Sequence, residues 1–218
     1  MADKINYPGR LIAVDGSRGK DVAVAANDLA AKLKRDGIEC AVSRWDASGL
    51  FTDLAAGVKG DPNVSIRTLS LVYAADLAFR VRWEIRPVLE AGGVVIAAPY
   101  VDTAIAFGTA CGLDGEWRER LMQFAPPARY RGRAKERKID RPWKRRPDRG
   151  YAEYGALMLA AAAPKRTRRR MITKLDGARR RNVFDLTNKG IAAVSKALTG
   201  SRPDASRRSA SRPRNGHK

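Results

Sequence analysis

With 218 residues, of which 44% are hydrophobic, the chain can bury one ordinary core and carry an extension. No apolar run approaches the ~20 residues of a membrane span, and the first residues lack the apolar core of a signal peptide, so we expect a cytoplasmic protein without a membrane partner. The one histidine, His217, lies in a polar tail, which excludes histidine-based acid–base chemistry, and the two cysteines, Cys40 and Cys111, fit neither a disulfide framework nor a zinc site. The formal net charge of +20 is uneven: residues 1–128 hold 15 Lys+Arg and 16 Asp+Glu, whereas residues 129–218 hold 28 and 7.

The first predicted unit, residues 10–37, is a strand, a glycine-bracketed turn and a helix. The apolar run Leu11–Val14 predicts a buried strand, and Gly37 ends a stretch with apolar residues at helical spacing. The N–H groups of such a turn and the N-terminus of the helix attract anions, which is why nucleotide phosphates bind there. The candidate phosphate-binding residues are Asp15, Gly16, Ser17, Arg18, Gly19 and Lys20.

The reactive groups of a P-loop, GxxxxGK[ST], are not evident in this turn. Counted from Gly16 without a gap, Asp21 falls on the second glycine, Val22 on the lysine and Ala23 on the hydroxyl. A loop shortened by two residues would instead offer Lys20 as the catalytic lysine. A third interpretation is a strand–turn–helix unit that binds no ligand.

The next elements predict a parallel sheet. Residues 39–44 read as a strand, 51–64 as a weak helix and linker, Ser65–Ala91 as a long helix ended or kinked by Pro87, and Val94–Ala97 as a strand buried on both faces. This alternation predicts a three-layer α/β sandwich with a mainly parallel sheet. Ligands of such sheets bind at the carboxyl ends of the strands.

Two stretches resemble the thymidylate kinase family of P-loop nucleoside monophosphate kinases. The first is LVYAADLAFRVRWEIRPVLEAGGVVIAAPYVDTAIAFG (71–108), which together with the first unit extends the similarity from about Arg10 to Ala125. The second is NVFDL (182–186) with the helical KGIAAVSKAL after it, similar to the family's last strand and helix. The resemblance implies a P-loop NTPase fold and a kinase that transfers phosphate from ATP to dTMP with Mg²⁺.

The same resemblance implies that several charged groups are missing. Ala98 and Pro99 stand where the family has an Asp–Arg pair that helps to place the acceptor phosphate, and Leu77 stands where an arginine contacts the thymine base. The loss of one such contact costs ~3 kcal/mol or more, so we expect weak or lost kinase activity. The positions implied to bind the nucleoside monophosphate are Arg44, Tyr73, Tyr100 and Thr103.

The resemblance lapses after an amphipathic helix predicted over Leu113–Phe124, with Leu113, Trp117, Leu121 and Phe124 on one face. A central strand would follow in the family, but residues 129–149 hold 11 Lys+Arg in 21 residues and no apolar run, so the sheet is expected to lack a strand. This basic block is read in three ways: as a remnant lid over phosphates, as an arm for nucleic acid or another polyanion, or as a solvated loop.

The remaining segments complete the predicted domain of residues 1–199, in which 129–170 form a basic lid-like insertion or extension. Residues 151–163 predict a helix, residues 165–181 carry two further basic clusters, and residues 200–218 form a Ser/Arg/Pro-rich tail expected to be disordered. Nucleic acid or another polyanion is a candidate partner for 129–149, 165–181 and 201–218. The helix that carries Phe79 and Trp83 is a candidate homodimer face, which ordinary core packing would explain equally well.

Three functional hypotheses follow. The first is a thymidylate kinase-like protein that binds dTMP or ATP but transfers phosphate weakly or not at all. The second is an active nucleoside monophosphate kinase that uses Lys20 in a shortened loop. The third is a nucleic-acid-binding protein that uses its basic C-terminal region on an inert α/β scaffold. No catalytic residue beyond Lys20 and no metal ligand is assigned.

Overall fold

The computed structural model describes residues 6–58, 64–135, 164–177 and 183–200. The predicted helix over 151–163, most of the basic block 129–149 and the tail 201–218 lie outside these residues. The described elements follow one another as β1 Arg10–Asp15, α1 Gly19–Arg35, β2 Cys40–Arg44, α2 Leu50–Val58, α3 Ile66–Arg80, a π-helical turn Val81–Ile85, α4 Arg86–Glu90, β3 Val94–Ala98, α5 Val101–Ala110, α6 Gly115–Met122, β4 Tyr130–Arg133, α7 Pro164–Gly177, β5 Val183–Asp185 and α8 Asn188–Thr199.

The strands of the described part form one parallel sheet in the order β2-β3-β1-β4-β5. Helices cover both faces of the sheet. Successive residues of β1 point to opposite faces and therefore pack in two different cores. Leu11 and Ala13 belong to a core with α3, α5 and α6, whereas Ile12 and Val14 belong to a core with α1 and α8. The predicted three-layer α/β sandwich is confirmed.

The expectation that the sheet lacks the strand after α6 is wrong. β4 pairs with β1 in register, with Ile12 opposite Tyr130 and Asp15 opposite Arg133. Tyr130 packs against the core on the α1 side, while Arg131 on the other face lies 3.5 Å from a carboxylate oxygen of Asp102 in α5. Backbone hydrogen bonds define a strand, so a basic segment can occupy a central position where a carboxylate faces its arginine.

The long helix predicted over 65–91 is present with one interruption. A π-helical turn, Val81–Ile85, separates α3 from α4 immediately before Pro87. Proline has no N–H and its ring crowds the carbonyl four residues earlier, so a wider turn at this place avoids both conflicts. The helix does not end at Pro87 but continues through it to Glu90, and a kink at this place stays a prediction.

The predicted apolar face of the next helix is partly wrong. α6 spans only Gly115–Met122, with the Asp114 side chain accepting a hydrogen bond from the Trp117 N–H at 2.8 Å. Met122 is buried, whereas Phe124 lies beyond the helix and is exposed. The helix ends before a full apolar stripe can form, so helical spacing does not extend to Phe124.

Candidate functional site

The turn between β1 and α1, which the sequence predicts to bind phosphate, is short and closely packed. β1 ends at Asp15 and α1 begins at Gly19, with the N–H groups of Asp21 and Val22 both donating to the Arg18 carbonyl at 3.1 Å. A side chain on Gly16 would place its Cβ 2.9 Å from Val22 Cγ2 and 3.1 Å from the Ala134 Cβ at the end of β4. The close approach of the chain explains why glycine occupies this position.

A carboxylate occupies the first turn of α1. Asp21 is 4% exposed, and its Oδ2 lies 3.2 Å from Arg18 Nε. A negative charge in this turn is favoured by the helix dipole, and the arginine neutralises it. The anion-attracting end of α1 therefore already holds an anion that belongs to the chain itself.

Lys20 lies beside this ion pair and is partly buried. Burial lowers its pKa, the positive charge of Arg18 lowers it further, and Asp21 acts in the opposite direction. The ammonium of Lys20 is thus held in an environment that is less favourable to positive charge than water is.

Asp15 joins the end of β1 to the start of α5. Its Oδ1 accepts hydrogen bonds from the Tyr100 N–H at 2.8 Å, the Thr103 N–H at 2.9 Å and the Thr103 hydroxyl at 2.7 Å. The Gly16 N–H donates to the same hydroxyl at 3.2 Å. Burial and the nearby Asp102 raise the pKa of Asp15 to about 6, while the bonds from Thr103 and Tyr100 oppose that rise.

The two tyrosines of the predicted nucleotide site are buried. The Tyr73 hydroxyl donates to the Tyr100 carbonyl at 2.5 Å, and the Tyr100 hydroxyl donates to the Pro126 carbonyl at 2.6 Å. Trp45 packs on Tyr73 with ring centroids 4.6 Å apart and on Phe51 at 4.1 Å. Burial raises the pKa of Tyr100 far above its usual value.

Arg44 lies on the other side of the sheet. Its side chain is exposed, and its Nη2 donates to Asn27 Oδ1 of α1 at 2.7 Å. The structure therefore brings Asp15, Gly16, Tyr100 and Thr103 together and leaves Arg44 apart from them.

A buried ion pair that the sequence reading did not anticipate lies next to the tyrosines. Asp76 and Arg80, four residues apart on α3, are both 0% exposed, with Arg80 Nε 3.0 Å from Asp76 Oδ2. Arg80 Nη2 donates to the Pro99 carbonyl at 2.9 Å, at the end of β3. An aspartate and an arginine at this spacing within an apolar helix were the available sequence signal.

Asp76 also fixes the loop between β2 and α2. Its Oδ1 accepts from the Ser48 N–H at 3.1 Å and the Ser48 hydroxyl at 2.9 Å, and its Oδ2 accepts from the Asp46 N–H at 3.3 Å. Asp46 has a positive φ of 59° and caps α2 by accepting from the N–H groups of Phe51 at 2.8 Å and Thr52 at 3.0 Å. The loops after β2 and β3 are thus joined through α3 by the protein's own polar groups.

The described residues form a parallel α/β domain in which the end of β1 and the turn after it are hydrogen-bonded to the buried residues Tyr100 and Thr103. In sequence the chain is similar to curated thymidylate kinases. It is 33% identical over 120 residues to a probable thymidylate kinase 2 of Saccharolobus solfataricus, covering 54% of each chain. It is 37% identical over 136 residues to a thymidylate kinase of Leifsonia xyli, covering 57% of this chain and 61% of that one.

A probable thymidylate kinase of Thermococcus gammatolerans is 29% identical over 126 residues, which cover 54% of this chain and 61% of the relative. The chain thus spans between half and two thirds of the length of these relatives. No family model matches it. The predicted resemblance to thymidylate kinases is confirmed. Among the helices that the structure describes, none is long and apolar enough to cross a membrane.

Proposed function

We propose that the protein binds a nucleotide of the kind that thymidylate kinases handle, dTMP or ATP, and transfers phosphate weakly or not at all. The observation that carries this proposal is the Asp21 carboxylate, 4% exposed and 3.2 Å from Arg18 Nε in the first turn of α1. It stands where a P-loop would present a hydroxyl or a glycine to a phosphate group.

Electrostatic repulsion supports a weak affinity of this loop for the phosphates of a nucleotide. Two like charges 4 Å apart repel by about 4 kcal/mol in a partly buried protein site. A triphosphate at this helix end would meet the Asp21 charge, and it would compete with Asp21 for Arg18. Lys20, which the shortened loop would use, sits in the same turn with its pKa already lowered.

The carboxyl end of β3 supports the same conclusion. Ala98 and Pro99 bring no charge, and the nearest cation found there, Arg80, is committed to Asp76 and to the Pro99 carbonyl. Phosphoryl transfer depends on cations placed around the transferred group, and Arg80, the cation described at this end of β3, is not available for that role.

The oxygen donors near the loop do not fit Mg²⁺ in the manner of a P-loop. A P-loop holds Mg²⁺ through a Ser or Thr hydroxyl, and residue 21 is an aspartate paired with Arg18. The Oδ1 of Asp15 is occupied by three hydrogen bonds from α5.

The test is calorimetry with ATP and dTMP, combined with a coupled assay containing both nucleotides and Mg²⁺. Wild type is expected to bind at least one nucleotide and to turn over far more slowly than about one per second. Asp21→Ser removes the carboxylate and supplies a hydroxyl, so we expect ATP affinity to rise about tenfold or more, equivalent to ~1.4 kcal/mol. Asp28→Ser, which removes an exposed carboxylate from the same helix, is the matched control.

Two results would overturn the proposal. Turnover of about one per second or faster that is abolished by Lys20→Ala would establish the alternative hypothesis, an active kinase with a shortened loop. If neither ATP nor dTMP binds, the proposal that the protein binds a nucleotide is wrong.

A further inference from the structure

We propose that the outer face of helix α7 binds nucleic acid through its phosphates, a function separate from the nucleotide site and independent of whether that site is active. The face is formed by Arg169, Arg170 and Lys174, which are all exposed. The sequence indicated nucleic acid or another polyanion as a candidate partner for residues 165–181, but not which side chains form a face.

The helix is held on the domain by an apolar stripe. Met171 and Leu175, four residues apart and therefore on the same side, are each 3% exposed. Met171 belongs to the core cluster that contains Phe107 of α5 and Met122 of α6. Arg169, Arg170 and Lys174 are thus displayed on a packed helix and keep a fixed spacing.

The position of α7 places positive charge at the end of a neighbouring helix. The charge of Arg170 acts on the thiol of Cys111, the residue that follows α5, and opposes the rise in pKa that burial gives this thiol. Arginine is favoured near the C-terminus of a helix, where carbonyl groups lack partners. Arg170 therefore lies close enough to the end of α5 to act on Cys111.

No carboxylate with a described side chain compensates the charges on this face. Among the side chains that the structure describes, Arg169, Arg170 and Lys174 form no ion pair. Arg170 and Lys174 are four residues apart, a spacing at which like charges destabilise a helix. A polyanion across the face would remove this repulsion.

Charge complementarity favours a long polyanion. Residues 129–218 hold 28 Lys+Arg and 7 Asp+Glu, so many cations are available to exchange counterions with successive phosphates. A single phosphate group would contact only one or two of them. A membrane surface is a poorer match, because an interfacial helix needs a free apolar face and that of α7 is buried in the core.

The chemistry on this face indicates phosphate contacts rather than base reading. Arginine and lysine on an exposed helix neutralise the backbone, and such contacts carry no sequence information. We therefore expect similar affinity for unrelated sequences and a steep dependence on salt.

The experiment measures fluorescence anisotropy of a labelled single strand of about 30 nucleotides, and of the matching duplex, with the full chain over a series of NaCl concentrations. The triple variant Arg169→Gln/Arg170→Gln/Lys174→Gln is expected to lower the slope of log K against log[salt] by about 2 to 3, since each phosphate contact contributes about 0.7 to 0.9. At about 100 mM salt, its affinity should fall tenfold or more.

The matched control is Lys34→Gln/Arg35→Gln/Arg82→Gln. It removes the same charge from exposed positions on α1 and the π-helical turn, far along the chain from α7. We expect it to leave the slope nearly unchanged. Thermal melting of both variants shows whether each retains the fold.

Several outcomes would overturn the proposal. The first is that wild type binds neither nucleic acid. The second is an equal loss of affinity in the two triple variants. The third is a loss of affinity that occurs only in a further variant with substitutions in the tail, Arg207→Gln/Arg208→Gln/Arg212→Gln. Displacement of the nucleic acid by inorganic tripolyphosphate at equal phosphate concentration would also contradict it, since that result indicates a site for a single small anion.

Discussion

At the scale of single residues, the polar groups at the carboxyl ends of the strands are used by the protein itself. Asp15 holds the start of α5, Asp76 holds the loop after β2, and Arg80 holds the loop after β3. These contacts join the loops after β2 and β3 to α3 and join β1 to α5.

The ion pair between Arg80 and Asp76 should contribute strongly to stability. Removal of one partner of a buried pair leaves an uncompensated charge and typically costs about 3 to 5 kcal/mol. We expect Arg80→Met to lower the free energy of unfolding by about 3 kcal/mol or more, as measured by urea denaturation. Arg82→Met, two residues away and exposed, is the control. A loss below about 1 kcal/mol in Arg80→Met would show that the pair is not buried as described.

Asp15 should make stability depend on pH. Its pKa in the fold is about 6, against 3.8 for the free side chain, so its stabilising contribution is complete below about pH 4 and disappears as pH rises through 6. The shift corresponds to about 3 kcal/mol. Asp15→Asn keeps an oxygen acceptor and removes the titration.

Denaturation curves of wild type and Asp15→Asn between about pH 4 and pH 7.5 check this prediction. We expect the stability of wild type relative to the variant to decline across that interval. Titration of groups that do not interact with Asp15 is common to both proteins and cancels in the difference. Parallel profiles would contradict a raised pKa at Asp15.

At the scale of elements, β4 and α7 define the second half of the domain. β4 is a central strand although every second residue from Arg131 is an arginine, and α7 is a packed helix although it is rich in basic residues. In both elements, a few contacts stabilise the regular structure. Asp102 faces Arg131, and Met171 belongs to the core cluster that contains residues of α5 and α6. Local composition would favour a solvated loop in each case.

The chain packs closely at the junction of β5 and α8, and a substitution of Gly190 tests this packing. A Cβ on Gly190 would lie 1.9 Å from the backbone carbonyl oxygen of Asp185, so the chain would have to move. We expect Gly190→Ala to destabilise the protein by about 2 kcal/mol or more in thermal or urea unfolding. Gly115→Ala is the control, because its Cβ would meet only Arg118 Nη2 at 3.4 Å. Equal stability of the two variants would contradict this packing.

At the scale of the whole molecule, an exposed apolar surface supports self-association. Leu71, Phe79 and Trp83, on α3 and the π-helical turn, are 51%, 40% and 64% exposed. Clustered apolar exposure of this kind marks interaction surfaces. That a second copy of the chain covers this surface stays a prediction of the sequence analysis.

Light scattering during size-exclusion chromatography checks the state of assembly. We expect wild type to dimerise at micromolar concentration and Trp83→Asp to be monomeric with an unchanged melting temperature, since a buried charge weakens an interface without touching the core. Leu50→Asp, at an apolar position on α2 that is 41% exposed, is the control. A monomeric wild type would contradict this prediction.

Three features could be predicted from the sequence: the α/β class, the strand–turn–helix unit at residues 10–37 and the resemblance to thymidylate kinases. These features depend on local periodicity, on the backbone chemistry of glycine and proline, and on short sequence motifs that occur in the same order as in the family. Each can be read from neighbouring residues.

Only the tertiary structure decided that Tyr130–Arg133 is a central strand, that Arg80 and Asp76 form a buried pair, and that Arg44 lies apart from Tyr73. The physical reason is that strand order, burial and ion pairing depend on residues distant in sequence. Asp102 faces Arg131, and Pro99 accepts from Arg80, only after the sheet has assembled.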